Sequence, residues 1–273
     1  MSAPAWATGA GRPSLRAQQL VADGTVMALL LGWLLASRSG LPESVAPDPL
    51  RVLPLAGQLL VDPALAQHTY ASLLRVLVSV AIAVSLGTAL MVAGRFLYVS
   101  RVLVAHRLLP FLNAFPTVGW AILAVLWFGV NDAAVVAVTV AILLPFTMVH
   151  VWSGLLALDE DLYEMTKSFT RHRGRRLLLF ILPALLPEIV ASARVSYGVG
   201  WKVGIFAEIF GVTTGLGYLM NYARTVFDVA LLYAAIVTVV VLVFVLDRLV
   251  FARLERYLTR HRSDAALNAA RVA

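Results

Sequence analysis

"DLYEMTKSFTRHRGRRLLLFILP" occupies residues 161–183 and separates two strongly apolar stretches. Six of its residues are basic when His172 is counted, against two acids, Asp161 and Glu164. The 273-residue chain as a whole is 60% hydrophobic and only 14% charged. Soluble domains carry about a quarter charged residues, so this composition excludes a water-soluble globule and makes the bilayer its solvent. The absence of cysteine rules out disulfides and thiolate metal sites. A net charge of +7 would suggest nucleic acid in a soluble protein. In a membrane chain it has a simpler source, the Lys and Arg excess of cytoplasmic loops.

Working outward from 161–183, a spanning helix needs about 20 mostly apolar residues. Six stretches qualify: a short first one at 22–37, then 70–94, 108–130, 132–153, 184–210 and 230–251. Backbone satisfaction inside lipid makes them helices, and no run of alternating ten-residue strands suggests a barrel. The fold class is therefore an all-α polytopic membrane protein. It divides into an N-terminal tail (1–20), a transmembrane domain (21–257) and a C-terminal tail (258–273).

Charge orients the spans. With both termini cytoplasmic, sixteen of the 22 Lys and Arg residues fall on the inside, including Arg12, Arg95, Lys167, Arg171, Arg175 and Arg253. Only Arg38, Arg51 and Arg224 fall outside, and Arg75, Arg194 and Lys202 lie within spans. That asymmetry sets the orientation. Residues 25–36 also fit the apolar core of a secretory leader, with "LLASRSG" as a loose cleavage site. The later five spans keep their orientation either way.

The quoted segment then joins spans four and five on the cytoplasmic side, and its length from Leu155 exceeds what a connection needs. Asp159, Glu160 and Asp161 favour a helix start. Leu158, Leu162, Met165 and Phe169 form one apolar stripe. Such a helix reads either as one lying on the lipid surface or as one presented to a soluble partner.

The segment resembles the EAA loop of bacterial ABC importer permeases, E-A-A-x-x-x-G, nine residues, an apolar residue, any residue, then L-P. Glu164 holds the Glu position, Met165 and Thr166 the two Ala positions, and Lys167 a commonly basic one. Leu182 and Pro183 close the motif at the usual distance. Further stretches resemble the nitrate/sulfonate/taurine-type branch: "ASLLRVLVS" (71–79), "LAVLWFGV" (123–130), "AEIFGVTTGLGYLM" (207–220) and "LDRLVFARLERYLTRHR" (246–262). Two departures stand out. Thr170 occupies the Gly position, and larger residues fill both Ala positions, so Gly174 is expected to supply the bend.

The resemblance implies a type I permease fold in the bacterial inner membrane. It implies a second permease copy or a related permease, two cytoplasmic ATPases and a periplasmic or lipid-anchored substrate-binding protein. It further implies that Glu164 to Lys167, Phe169, Thr170, Gly174, Leu182 and Pro183 couple the chain to the ATPase. The solute would be a small anion such as nitrate, a sulfonate or taurine, or a small heterocycle. The chain itself has no G-x-x-x-x-G-K-[ST] phosphate loop. ATP is thus expected on the partner, with no cofactor bound here.

Ionisable residues inside spans are functional candidates. Span five carries Glu188, Arg194, Lys202 and Glu208. At about 100° per residue, Arg194 and Glu208 fall about 40° apart, with Lys202 about 80° from Arg194. This loose polar stripe either lines the path and draws anions or pairs internally to hold the bundle. Asn113, between Pro110 and Pro116, either lines the path or satisfies freed backbone. Arg75 reads as snorkelling to headgroups. "TTGLGY" (213–218) reads as an outer turn, a re-entrant piece or a plain loop. Two other classes compete: an ion-coupled secondary carrier, usually with more spans, and a membrane enzyme, which would need a clustered acid/base or metal constellation that the sequence does not display.

Overall fold

The computed structural model describes residues 15–96, 107, 109–158, 164–166, 168, 172–251 and 253–254. Lys167, Phe169 and Thr170 lie outside these residues. Every regular element described is helical. We number them α1 (Leu15–Arg38), α2 (Pro49–Val61), α3 (Pro63–Phe96), α4 (Leu109–Ala114), α5 (Thr117–Phe128), α6 (Asp132–Leu156), α7 (Leu182–Gly211), α8 (Leu216–Thr225) and α9 (Val229–Leu246).

Four helical stretches are long and apolar enough to cross a membrane: Pro63–Gly94, Asp132–Leu156, Gly174–Gly211 and Val229–Phe251. They match the second, fourth, fifth and sixth expected spans. The first expected span lies within α1, where the apolar stretch among the described residues is Met27–Arg38. The third is not one helix. Proline disfavours helical backbone at the residue before it, so the chain breaks at Phe115–Pro116, and Pro116 caps α5. Helix α2 went unforeseen. Asp48 caps α2 by accepting from Leu50 N at 3.0 Å, with Pro49 in the first turn. Val52, Ala56 and Leu59 then bury one face of it.

Close approaches set the register of the bundle. A Cβ on Gly87 of α3 would sit 2.8 Å from Thr147 Cγ2 of α6. Arg75 meets Asp132 on the same pair, so α3 and α6 run parallel. Gly200 of α7 faces Leu143 and Val76, and Gly211 faces Val135. Helix α7 therefore runs antiparallel to both, and Tyr197 with Leu242 places α9 antiparallel to α7 as well. Small residues let apolar helices approach closely where no hydrophobic gain separates lipid from neighbour. The shared core holds Val76, Val80, Leu143, Tyr197, Trp201 and Leu216, all buried.

The bundle thus has two distinct ends. At one, the 212–215 loop and α8 fold over α3 and α7; we call it the capped end. At the other lie Arg173–Arg176 and two π-helical turns, Leu177–Ile181 and Asp247–Phe251; we call it the basic end. π-turns are rare and tend to mark functional positions.

Candidate translocation path and coupling segment

A charge on an apolar helix is costly unless it is paired and its hydrogen bonds are filled. Arg75 of α3 meets both conditions. It is buried, with 5% exposure, and does not snorkel as its sequence position suggested. Its Nη1 donates to Glu208 Oε1 at 2.7 Å and to Thr214 O at 2.8 Å. Its Nη2 donates to Asp132 Oδ1 and Thr214 Oγ1, both at 2.7 Å, and its Nε donates to Asp132 Oδ1 at 2.9 Å. A guanidinium has five N–H donors, and all five are used. Three helices and the 212–215 loop meet on this one side chain.

Glu208 is 1% exposed. Besides Arg75 it accepts from Ser72 Oγ at 2.7 Å and from Gly217 N at 2.8 Å. Ser72 Oγ in turn accepts from Leu216 N at 2.7 Å, and Gly215 N donates to His68 Nδ1 at 3.0 Å. These bonds satisfy the first N–H groups of α8, which no helical carbonyl can reach. The sequence explains the local shape. Gly215 has φ +115, where side chains are strained. A Cβ on Gly217 would collide with Ile205 O and stand 2.7 Å from Glu208 Cβ. "TTGLGY" is therefore the start of a helix clamped onto the bundle, not a plain loop.

The remaining polar residues of α7 separate. Arg194 donates to Asp247 of the π-turn from Nε at 2.7 Å and from Nη2 at 2.9 Å. It does not share a site with Glu208. Lys202 is exposed, and no polar partner for it occurs among the described residues. Glu188 packs its Cγ against Gly154 of α6. Asn113 lies on α4, next to the Phe115–Pro116 break. The partners Ser72, Asp132, Thr214 and Asp247 were not foreseen. For Ser72 a signal existed, since it sits three residues before Arg75 on the same helical face.

At the basic end, residues 164–166 are helical, with Glu164 and Met165 exposed and Thr166 buried. Gly174 sits within a helical turn, and a Cβ there would meet nothing within 4 Å. Residues 169–171, against which the expected bend would turn, lie outside the described residues. Leu182 and Pro183 open α7 and follow the π-turn Leu177–Ile181 without a break, so the change from π to α hydrogen bonding falls at this proline. No cluster of three or more metal-ligating side chains occurs among the described residues.

The chain is 28% identical to the taurine transport system permease protein TauC of Escherichia coli (strain K12) over 252 residues, 90% of each chain. It is 30% identical to a probable ABC transporter permease protein of Haemophilus influenzae, covering 79% of this chain and 87% of that one. It is 25% identical to the putative aliphatic sulfonates transport permease protein SsuC of Bacillus subtilis (strain 168), covering 81% and 79%. An ion-coupled carrier is not favoured by these likenesses. Residues 81–259 match the profile of the binding-protein-dependent transport system inner membrane component. The chain belongs to that family, as a multi-pass permease subunit of an ABC importer that associates with an ATPase and a substrate-binding protein and is not itself an enzyme.

Proposed function

We propose that this chain forms half of an ATP-driven importer for a small anion, of the sulfonate or taurine kind. Six spans place both termini in the cytoplasm, and residues 155–183 dock on an ATPase. Two permease copies and two ATPases make up the machine, fed by an external binding protein. The observation that carries the reading is the unbroken helix Gly174–Gly211. At 1.5 Å per residue its 38 residues reach about 57 Å. One rigid rod would then link the basic coupling turn to Lys202 and to the Glu208 clamp. ATP-driven closure of the ATPases would pull this rod and re-orient the bundle around a path along Lys202. The exposed charge of Glu164 suits a basic or backbone donor in the ATPase groove. Losing one partner of a charge pair buried across an interface costs about 2–5 kcal/mol.

Co-purification tests the reading. With Glu164→Lys the subunit still inserts, but recovery of its ATPase falls at least tenfold, about 1.4 kcal/mol. Undiminished recovery with normal transport would mean that the segment lies on lipid instead.

A further inference from the structure

Outside the basic turns, four described cations pair with carboxylates: Arg38 with Asp48, Arg51 with Glu43, Arg75 with Asp132 and Glu208, and Arg194 with Asp247 of the π-turn. Two do not. Lys202 has no polar partner among the described residues, and the single polar contact of Arg224 is the one from its Nη2 to Asn221 Oδ1 at 3.0 Å.

Helix geometry relates Lys202 to a hollow that Arg224 lines. Lys202 is exposed on α7. Ile209, seven residues on, returns to within about 20° of the same direction and lies about 10.5 Å nearer the capped end. There Ile209 and Phe210 wall a hollow of about 540 Å³ together with Met220, Asn221 and Arg224 of α8 and Leu232 of α9. Arg224 is the one ionisable residue in that wall. Apolar surface on three helices thus lies beside an exposed guanidinium that donates to an amide oxygen.

We propose that this hollow is an entry subsite for a small organic oxyanion, with Arg224 taking the anionic head and Lys202 receiving it two turns further in. The proposal rests on the importer reading and names the substrate class of its path. The chemistry is specific. Asn221 occupies one guanidinium N–H and fixes the plane, leaving a planar fork that matches a sulfonate or carboxylate. Ile209, Phe210, Met220 and Leu232 suit a short apolar body. A carboxylate beside either cation would cancel the field that attracts an anion, and the wall holds none.

The cysteine-free sequence permits a direct test. Ile209→Cys places a lone thiol in the hollow; Leu232→Cys serves if the first variant does not assemble. The complex with its ATPase, in proteoliposomes, is treated with 2-sulfonatoethyl and with 2-trimethylammonioethyl methanethiosulfonate. Each rate is divided by that reagent's rate with a free thiol. One unpaired cation about 6 Å away favours the sulfonate reagent about tenfold over the cationic one. Arg224→Gln brings the ratio to about one, Arg224→Lys retains most of it, and excess ethanesulfonate slows the sulfonate reagent. A ratio unmoved by Arg224→Gln, faster reaction of the cationic reagent, or no reaction with either one overturns the proposal. None of these outcomes touches the importer reading, which stands or falls on ATPase co-purification.

Discussion

Arg75 and Glu208, 133 residues apart in the chain, meet at 2.7 Å inside the capped end of the bundle. Both side chains are almost fully buried. The pair fixes α3 against α7, and its surplus bonds fix α8 and α6. Because all five guanidinium donors and both Glu208 oxygens are engaged, the clamp leaves no room for an idle charge.

Breaking that pair on one side strands a buried charge, which costs about 3–5 kcal/mol. Arg75→Met and Glu208→Gln should each lower the unfolding temperature of the detergent-purified subunit sharply. Arg75→Met with Glu208→Gln removes both charges, so its loss should fall well short of the sum of the two single losses. A double-mutant cycle on melting temperature checks this. Additive losses would mean that the two residues act independently.

Glycine substitutions separate steric need from helix propensity. Gly217→Ala drives a Cβ against Ile205 O, a backbone atom that cannot step aside. It should release α8 from Glu208 and destabilise the subunit. Gly57→Ala on α2 meets nothing within 4 Å and should be neutral or stabilising by up to about 1 kcal/mol. Opposite signs in the two melting shifts are the expected result.

Much of this fold was legible because four apolar runs exceed the bilayer thickness, and because Pro116 announces its own break. Helix α2 escaped notice since 13 residues fall short of a span, although Asp48-Pro49 and the Val52/Ala56/Leu59 spacing mark it. The clamp was half visible. Glu208, Gly215 and Gly217 stood out, but pairing with Arg75 depends on which helices neighbour each other, and local pattern does not encode that. The polar stripe of α7 was misleading for a geometric reason. A helical wheel discards rise, and Arg194 and Glu208 stand about 21 Å apart along the axis. Each therefore finds its own partner on a different helix.

The orientation proposed from charge is open to direct measurement. Reporter fusions after Gly94 and after Arg176 should read cytoplasmic, since the six-span arrangement with both termini inside puts sixteen Lys and Arg residues on that side and three on the other. A fusion after Val61 should read external. A cytoplasmic signal at Val61 would invert or remove α1 as a span.

The link between Arg194 and Asp247 decides whether α9 moves with α7. It is bidentate, at 2.7 and 2.9 Å, and Tyr197 adds a bond from its hydroxyl to Leu242 O at 3.1 Å. Two magnitudes compete for the cost of breaking it. An arginine stranded at mid-bilayer costs about 2.5–3.5 kcal/mol, whereas a solvated ion pair contributes about 0–1 kcal/mol. Position chooses between them. Asp247 follows Asp228, the cap of α9, by roughly 29 Å of helix, close to the full thickness of about 30 Å of the hydrocarbon layer. Both side chains are also more than a third exposed. The smaller figure governs, so Asp247→Asn should leave the melting temperature of the subunit nearly unchanged. Its effect should appear in coupling, because α7 can then slide on the π-turn without carrying α9. In the assembled importer we expect more ATP hydrolysed per solute moved with Asp247→Asn, and recovery in the exchanged pair Arg194→Asp with Asp247→Arg. An unchanged ratio of hydrolysis to transport in Asp247→Asn would mean that α7 moves alone and that the pair only holds the resting bundle together.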